Sequence, residues 1–224
     1  MKILNQIKKN LIPLSCLISI ALLGLVYPLF NSGERGAHNL TTTIDQSIPF
    51  IKVFVIPYMT WLPFVTITLI YFCFKDKKLY YKTMITYNLC LILCYIVYFY
   101  FQTTVPFRPT ITENDILSNI VAHMYASDQP FNCFPSIHCL TSYLMIVALR
   151  TSTFQTKWNR FFIYGYATTI IFSTFFVKQH VILDAIGAII LAEIVFWTVN
   201  YVFETATQRV PQRSEETAKQ YVRN

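Results

Sequence analysis

The residues best suited to chemistry lie in the stretch 173–184, where His180 and Asp184 stand four positions apart. Side chains at positions i and i+4 share one face of a helix, with about 5–6 Å between their Cβ atoms. A carboxylate in that position can accept the proton of one imidazole nitrogen and leave the other nitrogen basic. The spacing predicts a nucleophile or a general base, although an ordinary ion pair at a helix end has the same spacing.

Two further polar segments interrupt the apolar sequence upstream of this pair. One contains Arg108 followed by Pro109, and the other contains Ser136 and His138 directly after Pro135. Ser136 is a suitable N-cap for a helix that begins at the next residue. Together the three segments supply one cation, two histidines and one aspartate, an inventory that suits phosphoryl transfer through a histidine nucleophile.

The composition indicates that these segments belong to a membrane protein. Of the 224 residues, 54% are hydrophobic and only 13% are charged, whereas soluble domains carry roughly 25% charged residues. The net charge of +7 is spread between apolar runs, and it forms no basic patch interleaved with exposed aromatic residues, which argues against a nucleic-acid partner. We therefore expect an all-α polytopic protein whose partner is the lipid bilayer.

The apolar runs predict six membrane-spanning helices, because about 20 apolar residues cross a bilayer as a helix. The predicted spans are residues 11–30, 50–74, 84–105, 136–149, 161–177 and 181–203. They form one membrane domain, residues 1–203, followed by a polar cytoplasmic tail, residues 204–224.

The basic residues predict the orientation of these spans. With six spans both termini lie on one side, and every Lys and Arg falls on that side except Arg35, Lys52, Arg108 and Lys178. The positive-inside rule then places both termini in the cytoplasm. We expect a cell-membrane protein in which the three polar segments meet at the extracytoplasmic ends of the helices.

In order and spacing, the three segments resemble the motifs of the type 2 phosphatidic acid phosphatase superfamily: Lys-x6-Arg-Pro, Pro-Ser-Gly-His and Ser-Arg-x5-His-x3-Asp. The positions that match are Arg108, Pro109, Pro135, Ser136, His138, Ser173, His180 and Asp184. Three positions depart from the pattern, since Phe101 replaces the lysine, Ile137 the glycine and Thr174 the second arginine.

This resemblance implies a role for each matching side chain. His180 would attack phosphorus and form a phosphohistidine, while Asp184 would orient it. His138 would protonate the departing alkoxide, and Arg108 with Ser136 would bind the phosphate oxygens.

Two family cations are missing, and Lys178 is the nearest replacement for them, although a lysine lacks the guanidinium fork. No metal or other cofactor is expected, because two histidines on separate segments and an engaged aspartate make a poor ligand set. Cys133 and Cys139 flank the Pro-Ser motif, and we expect neither a disulfide nor a metal site from them.

The resemblance implies an integral membrane phosphatase whose substrate is a lipid phosphate or diphosphate. The variants Phe-Pro-Ser-x-His and Ser-Thr-x5-His-x3-Asp also resemble the inositol phosphorylceramide synthase branch, whose members pass a phospho-head group to a lipid alcohol. A non-catalytic phospholipid-binding or transport protein is a third alternative. Water and a lipid alcohol are both open as the acceptor.

Overall fold

In a computed structural model that describes the backbone of residues 2–223 and the side chains of residues 9–206, the protein is mostly helical. The α-helices are α1 (Lys2–Ser15), α2 (Ile18–Gly24), α3 (Thr43–Ser47), α4 (Val55–Met59), α5 (Trp61–Lys75), α6 (Lys77–Tyr100), α7 (Ile116–Ser127), α8 (Ile137–Arg150), α9 (Lys157–Phe176) and α10 (Ile182–Arg223). Short 3-10 turns occupy Tyr27–Leu29, Gly33–Arg35 and Lys52–Phe54. Two short strands, β1 (His38–Asn39) and β2 (Thr103–Thr104), pair in parallel.

Within the described residues, four stretches are long and apolar enough to cross a membrane: Lys9–Leu29, Lys52–Lys75, Lys77–Tyr100 and Ile182–Ala206. Helix α8 is apolar but has only 14 residues, and α9 is not among the four. The all-α class is therefore confirmed and fits a membrane protein, whereas α8 and α9 as membrane spans stay predictions.

The third apolar helix begins earlier and ends earlier than its predicted span. Asp76 caps α6 by accepting the N–H of Leu79 at 3.0 Å, so the basic residues that follow form the first turns of the helix. Among them Lys82 is buried and donates to Asn200 Oδ1 at 2.7 Å. A cap and a buried lysine with an amide partner therefore extend the helix into this basic segment, which the predicted span 84–105 leaves out.

Helix α8 lies at the centre of the bundle and packs against α5, α6, α9 and α10. Its Leu140, Leu144, Val147 and Ala148 are fully buried, and most of its other residues are buried as well. A helix that is apolar all round is buried rather than amphipathic. The histidine motif at its start is consequently held by a rigid element.

The segments that carry the three motifs meet at one end of the bundle. α6 ends there, α8 begins there, and a short connection joins α9 to α10. The Phe134 ring, just before α8, packs on Gly187 of α10 so closely that a Cβ at Gly187 would lie 2.4 Å from the ring. Glycine at this position therefore allows the starts of α8 and α10 to approach each other.

The structure does not describe all the side chains on which the predicted orientation and the predicted tail depend. The side chains of Lys2 and Lys8, which contribute to the predicted orientation, are not described, and neither are those of residues 207–224 in the predicted tail.

Candidate functional site

His180 lies in the connection before α10 and is 8% exposed. Its Nδ1 is 3.3 Å from Asp184 Oδ2 and 3.1 Å from the carbonyl oxygen of Cys133. Because both neighbours are acceptors, Nδ1 is assigned the proton and Nε2 keeps its lone pair. The predicted contact between His180 and Asp184 is present, but it spans the start of α10 rather than lying within a helix.

Asp184 is fully buried in the first turn of α10, where the helix dipole favours a negative charge. Its Oδ2 also accepts the N–H of Val181 at 2.9 Å. Its backbone carbonyl accepts the N–H of Ser136 at 3.2 Å. Asp184 is thus hydrogen-bonded at the starts of both helices, through its carboxylate before α10 and through its backbone before α8.

Ser136 is the N-cap of α8, as the sequence predicts, and its Oγ accepts the N–H of Cys139 at 3.3 Å. Its side chain is buried. In this arrangement the hydroxyl oxygen completes the helix start, and binding of a phosphate oxygen by Ser136 stays a prediction.

His138 lies in the first turn of α8, held between two aromatic rings. It stacks on Tyr58, with centroids 4.3 Å apart and planes 23° apart, and its centroid is also 4.3 Å from that of Trp61. The centroids of His138 and His180 are 5.8 Å apart. The structure therefore brings the two predicted histidines together.

Both rings that enclose His138 are themselves fixed. The Trp61 indole donates to Thr141 Oγ1 at 2.6 Å, and the Tyr58 hydroxyl donates to Asp128 Oδ2 at 2.7 Å. Aromatic faces attract cations, with the strongest effect at tryptophan. Two such faces would stabilise a positive charge on His138, and no sequence pattern announces this enclosure.

A cavity of about 360 Å³ contains both histidines in its lining. Its polar end is formed by Asp128, Asn132, His138 and His180, and it continues among apolar side chains such as Ile20, Leu62 and Leu91. Within the described residues, none of the side chains that line it is Lys or Arg. The cavity therefore combines two imidazole side chains with a surface suited to a hydrocarbon chain.

Asp128 is a site residue for which the sequence analysis predicted no role. Its carboxylate accepts the hydroxyls of Tyr27 at 2.8 Å and Tyr58 at 2.7 Å. The only sequence signal was an acidic residue in the less apolar segment before the Pro-Ser motif. The tyrosines that identify it come from distant parts of the chain.

Arg108 lies beside this carboxylate, engaged with protein groups. One terminal nitrogen donates to the carbonyl of Asp128 at 2.8 Å and to the side chain of Gln179, and the guanidinium lies 4.7 Å from the centre of the Tyr125 ring. Burial lowers the pKa of the Arg108 guanidinium, and Asp128 acts in the opposite direction. Arg108 therefore contacts Gln179, the residue before His180, but does not line the cavity.

Lys178, the proposed replacement for the missing cations, does not line the cavity. It is 6% exposed, and its ammonium donates to the carbonyls of Asp45, at 3.1 Å, and Ile48. Burial lowers the pKa of this ammonium, while Asp45 acts in the opposite direction. A backbone φ of 55° places Lys178 in the left-handed region, where the chain reverses between α9 and α10.

Asp45, whose carbonyl accepts from Lys178, also contacts the start of α10. We call these two residues the Asp45–Lys178 clasp. Asp45 is 2% exposed, and its Oδ1 accepts the N–H of Ile182, the first residue of α10, at 2.8 Å. The same carboxylate forms a capping box with Thr42 at the start of α3. The pattern Thr-x-x-Asp could have predicted that cap, but not the second helix that it reaches.

Replacing Lys178 with methionine distinguishes the clasp from the predicted phosphate contact. We expect a lower unfolding temperature and a lower kcat with KM little changed. The buried carbonyl of Asp45 and the partly buried carbonyl of Ile48 lose their donor, and an unsatisfied buried acceptor costs about 1–3 kcal/mol. Thermal unfolding and steady-state kinetics in detergent measure both effects. The same change at Lys157, an exposed lysine at the start of α9, is the control. A large rise in KM without loss of stability would instead place Lys178 on the phosphate.

At two of the three departures from the family motif, an uncharged side chain stands where the pattern has a cation. Phe101 stacks on His38 with centroids 4.7 Å apart. Thr174 is fully buried, and its carbonyl accepts the N–H of His180 at 3.1 Å. Neither position brings a cation to the histidines.

Cys133, His180 and Asp184 place three potential metal-ligand atoms within 4.8 Å of one another. Burial raises the pKa of the Cys133 thiol well above its ordinary value, and Asp184 adds to that effect. A cysteine ligand must lose its proton, so this donor set fits a metal poorly. Cys133 and Cys139 are free thiols.

The chain matches the model of a known protein family. The model of the PAP2 superfamily matches residues 36–198, which is more than half of the chain and includes all the predicted site residues. No match was found among curated proteins or among solved structures.

Proposed function

Because the chain belongs to the PAP2 superfamily, we propose that it is an integral membrane phosphatase that removes phosphate from a lipid phosphate or diphosphate. Membership indicates an activity of the phosphatase or phosphotransferase type. The observation that carries the proposal is that His180, with its Nδ1 held by Asp184, lines the same cavity as His138. A basic nitrogen and a proton donor are the two groups that this chemistry requires.

In the first step, Nε2 of His180 attacks phosphorus, and the bond between phosphorus and the lipid oxygen breaks. With a lipid phosphate, His138 gives its proton to the departing alkoxide, and the products are a lipid alcohol and a phosphohistidine at residue 180. With a lipid diphosphate, the same attack on the terminal phosphorus releases the lipid monophosphate. Asp184 stabilises the positive charge that develops on the imidazole ring, as the carboxylate of a catalytic triad does.

In the second step, His138, now neutral, removes a proton from water, and the hydroxide attacks phosphorus. The bond to Nε2 breaks, inorganic phosphate leaves, and both histidines regain their starting protonation. Arg108 and Ser136 are the proposed ligands of the phosphate oxygens, and the N-terminus of α8 adds a favourable partial charge.

The charges of the cavity favour a second candidate, a lipid phosphotransferase of the inositol phosphorylceramide synthase type. The described lining contains the carboxylate of Asp128 and no Lys or Arg. A phosphodiester carries one negative charge, whereas a phosphate monoester carries about 1.5 to 2 at pH 7. The second step would then deliver the phospho-head group to a lipid alcohol in place of water.

The test is to incubate the purified protein with phosphatidic acid or a polyprenyl diphosphate in the absence of an acceptor lipid. Release of free phosphate, lost in the His180→Ala variant, is the expected result. No phosphate, but transfer of a head group from a phosphodiester lipid to an added lipid alcohol, would replace the phosphatase with the transferase. Neither activity with any of these lipids would favour a non-catalytic lipid-binding protein.

We further propose a metal-independent reaction, since the residues assigned to it include a basic nitrogen, a proton donor and an orienting carboxylate. Dialysis against EDTA should leave the rate of phosphate release unchanged, as measured against a dialysis control without chelator. A loss of activity that zinc or magnesium restores would contradict this. Cys133, His180 and Asp184 would then be the candidate metal ligands.

The predicted orientation completes the proposal, with the site at the extracytoplasmic leaflet of the cell membrane and both termini in the cytoplasm. A cysteine placed at exposed Ser127, beside the cavity, should react in intact cells with a membrane-impermeant maleimide, and one placed at exposed Lys157 should not. The reverse labelling pattern would invert the topology.

A further inference from the structure

Another cavity lies at the end of the bundle opposite the histidines. It has a volume of about 300 Å³, and its lining comes from α1 and from the junction of α5 and α6: Lys9, Asn10, Cys73, Phe74, Lys75 and Lys77. Helix α6 begins at Lys77 and continues for 24 residues to the end where the motifs meet. At 1.5 Å per residue, this is a distance of about 35 Å. The cavity is therefore separate from the candidate functional site.

Three exposed lysines line this cavity, and each stands at the end of a candidate membrane span. Lys9 is the first residue of one span, Lys75 is the last residue of the next, and Lys77 is the first residue of the one after it. The hydrocarbon region ends where the apolar spans end. The three ammonium groups therefore lie at the depth of the lipid head groups, on one face of the membrane.

The charges of these lysines have no carboxylate partner in the part of the chain whose side chains are described. Among the ion pairs of residues 9–206, none contains Lys9, Lys75 or Lys77. Lys77 donates to the carbonyl of Lys9 at 3.1 Å, and the Lys75 ammonium lies 5.9 Å from the centre of the Tyr71 ring. Both contacts leave the ammonium groups able to bind an anion.

The acidic residues of this end have other partners. Glu204 pairs with Lys78 at 2.8 Å and with Lys82 at 3.6 Å. Asp76 stands between two of the cavity lysines in the chain, but its Oδ1 accepts the N–H of Leu79 and caps α6. The cavity is consequently positive, and the neighbouring lysines are neutralised.

The position and lining of the cavity suit a lipid phosphate group better than a free one. Basic cavities between membrane helices bind the head groups of anionic lipids. Phe74 belongs to the lining and is 42% exposed, so it offers an apolar surface to the glycerol and the first acyl carbons. Free phosphate has no group that would use this surface.

We propose that this cavity binds the phosphate of an anionic phospholipid from the leaflet opposite the histidines. The bound head group joins α1 to the α5–α6 junction. The described contacts between α1 and α6 include two bonds to backbone carbonyls, from Tyr80 to Pro13 at 2.8 Å and from Lys77 to Lys9. A lipid phosphate between Lys9, Lys75 and Lys77 adds a charged link, and it should therefore stabilise the folded protein.

Thermal unfolding of the purified protein in neutral detergent is the first test. Dioleoyl phosphatidylglycerol at a saturating concentration should raise the unfolding temperature by about 5 °C or more. The same amount of zwitterionic dioleoyl phosphatidylcholine, or of inorganic phosphate, should raise it much less. Equal rises with the two lipids would refute a site for an anionic head group. A rise with inorganic phosphate as large as that with phosphatidylglycerol would refute the lipid as the ligand and assign the cavity to free phosphate.

Paired substitutions place the effect at this cavity. Replacing Lys75 and Lys77 with glutamine should remove most of the rise with phosphatidylglycerol, whereas replacing both with arginine should keep it, because arginine retains the charge. The matched control replaces Lys157 and Arg160 with glutamine, since both are exposed basic residues of α9 outside the cavity. A full rise in the Lys75 and Lys77 glutamine variant, or an equal loss in the control, would overturn the proposal.

Native mass spectrometry measures binding without relying on how the variants unfold. Released from micelles that contain both lipids, the wild-type protein and the α9 control should retain one more phosphatidylglycerol than the Lys75 and Lys77 glutamine variant. Equal numbers in all three proteins would refute the site. Both measurements are made without a substrate, so their outcome does not depend on whether the protein is a phosphatase.

Discussion

Replacing His180 with alanine will abolish turnover of every lipid that the wild-type protein converts. Loss of a nucleophile lowers kcat by on the order of 10⁴–10⁶-fold in well-studied hydrolases, and Nε2 of His180 is the nucleophile proposed here. Phosphate release from radiolabelled phosphatidic acid measures the effect. Wild-type protein quenched in alkaline detergent should carry acid-labile label that is absent from the variant.

His123→Ala is the matched control for this change. His123 is an exposed histidine of α7, and its removal should leave both the rate and the acid-labile label intact. Asp184→Asn should lie between the two, because Nδ1 then loses its charged partner while the nucleophile remains. An active His180→Ala protein would refute the phosphohistidine mechanism outright.

Replacing His138 with alanine will lower kcat for a lipid phosphate by about 10²–10⁴-fold, the usual contribution of a general acid. The loss should depend on the leaving group. A lipid alkoxide needs a proton as it departs, whereas the nitrophenolate of p-nitrophenyl phosphate is stable without one. Comparison of the two substrates therefore isolates proton donation from phosphate binding.

Two substitutions of Trp61, whose ring packs on His138, test the same role with smaller changes. Trp61→Phe keeps an aromatic face against the imidazole, whereas Trp61→Leu keeps bulk but loses the face that stabilises a cation. We expect the leucine variant to lose more activity toward the lipid than the phenylalanine variant. Equal activities, or His138→Ala losses that are the same for both leaving groups, would remove the general acid from this position.

The sequence predicted those parts of the site that depend on local spacing. The contact of His180 with Asp184 follows from a separation of four residues, and the cap at Ser136 follows from the chemistry of its hydroxyl. The helical class and the membrane character follow from composition and long apolar runs. Each of these depends on neighbours in the chain.

The parts that the sequence missed depend on contacts between distant segments. Tyr58 and Trp61 reach His138 across about 80 residues, and no periodicity marks an aromatic residue as the neighbour of a particular histidine. Lys178 looked like a replacement for the missing cations because it stands two positions before His180. Its left-handed backbone instead directs the ammonium to α3, which spacing alone does not reveal.

The Asp45–Lys178 clasp has a consequence for any attempt to cut the protein down to its motifs. A fragment that begins after α3 would still contain Arg108, His138, His180 and Asp184. It would lack Asp45, whose carboxylate accepts the first N–H of α10 and whose carbonyl accepts from Lys178 in the turn before it. The same dependence applies as the chain is synthesised, because Asp45 emerges 137 residues before Ile182. Its partner exists only once the start of α10 has been made, so this contact cannot form before Ile182 is synthesised.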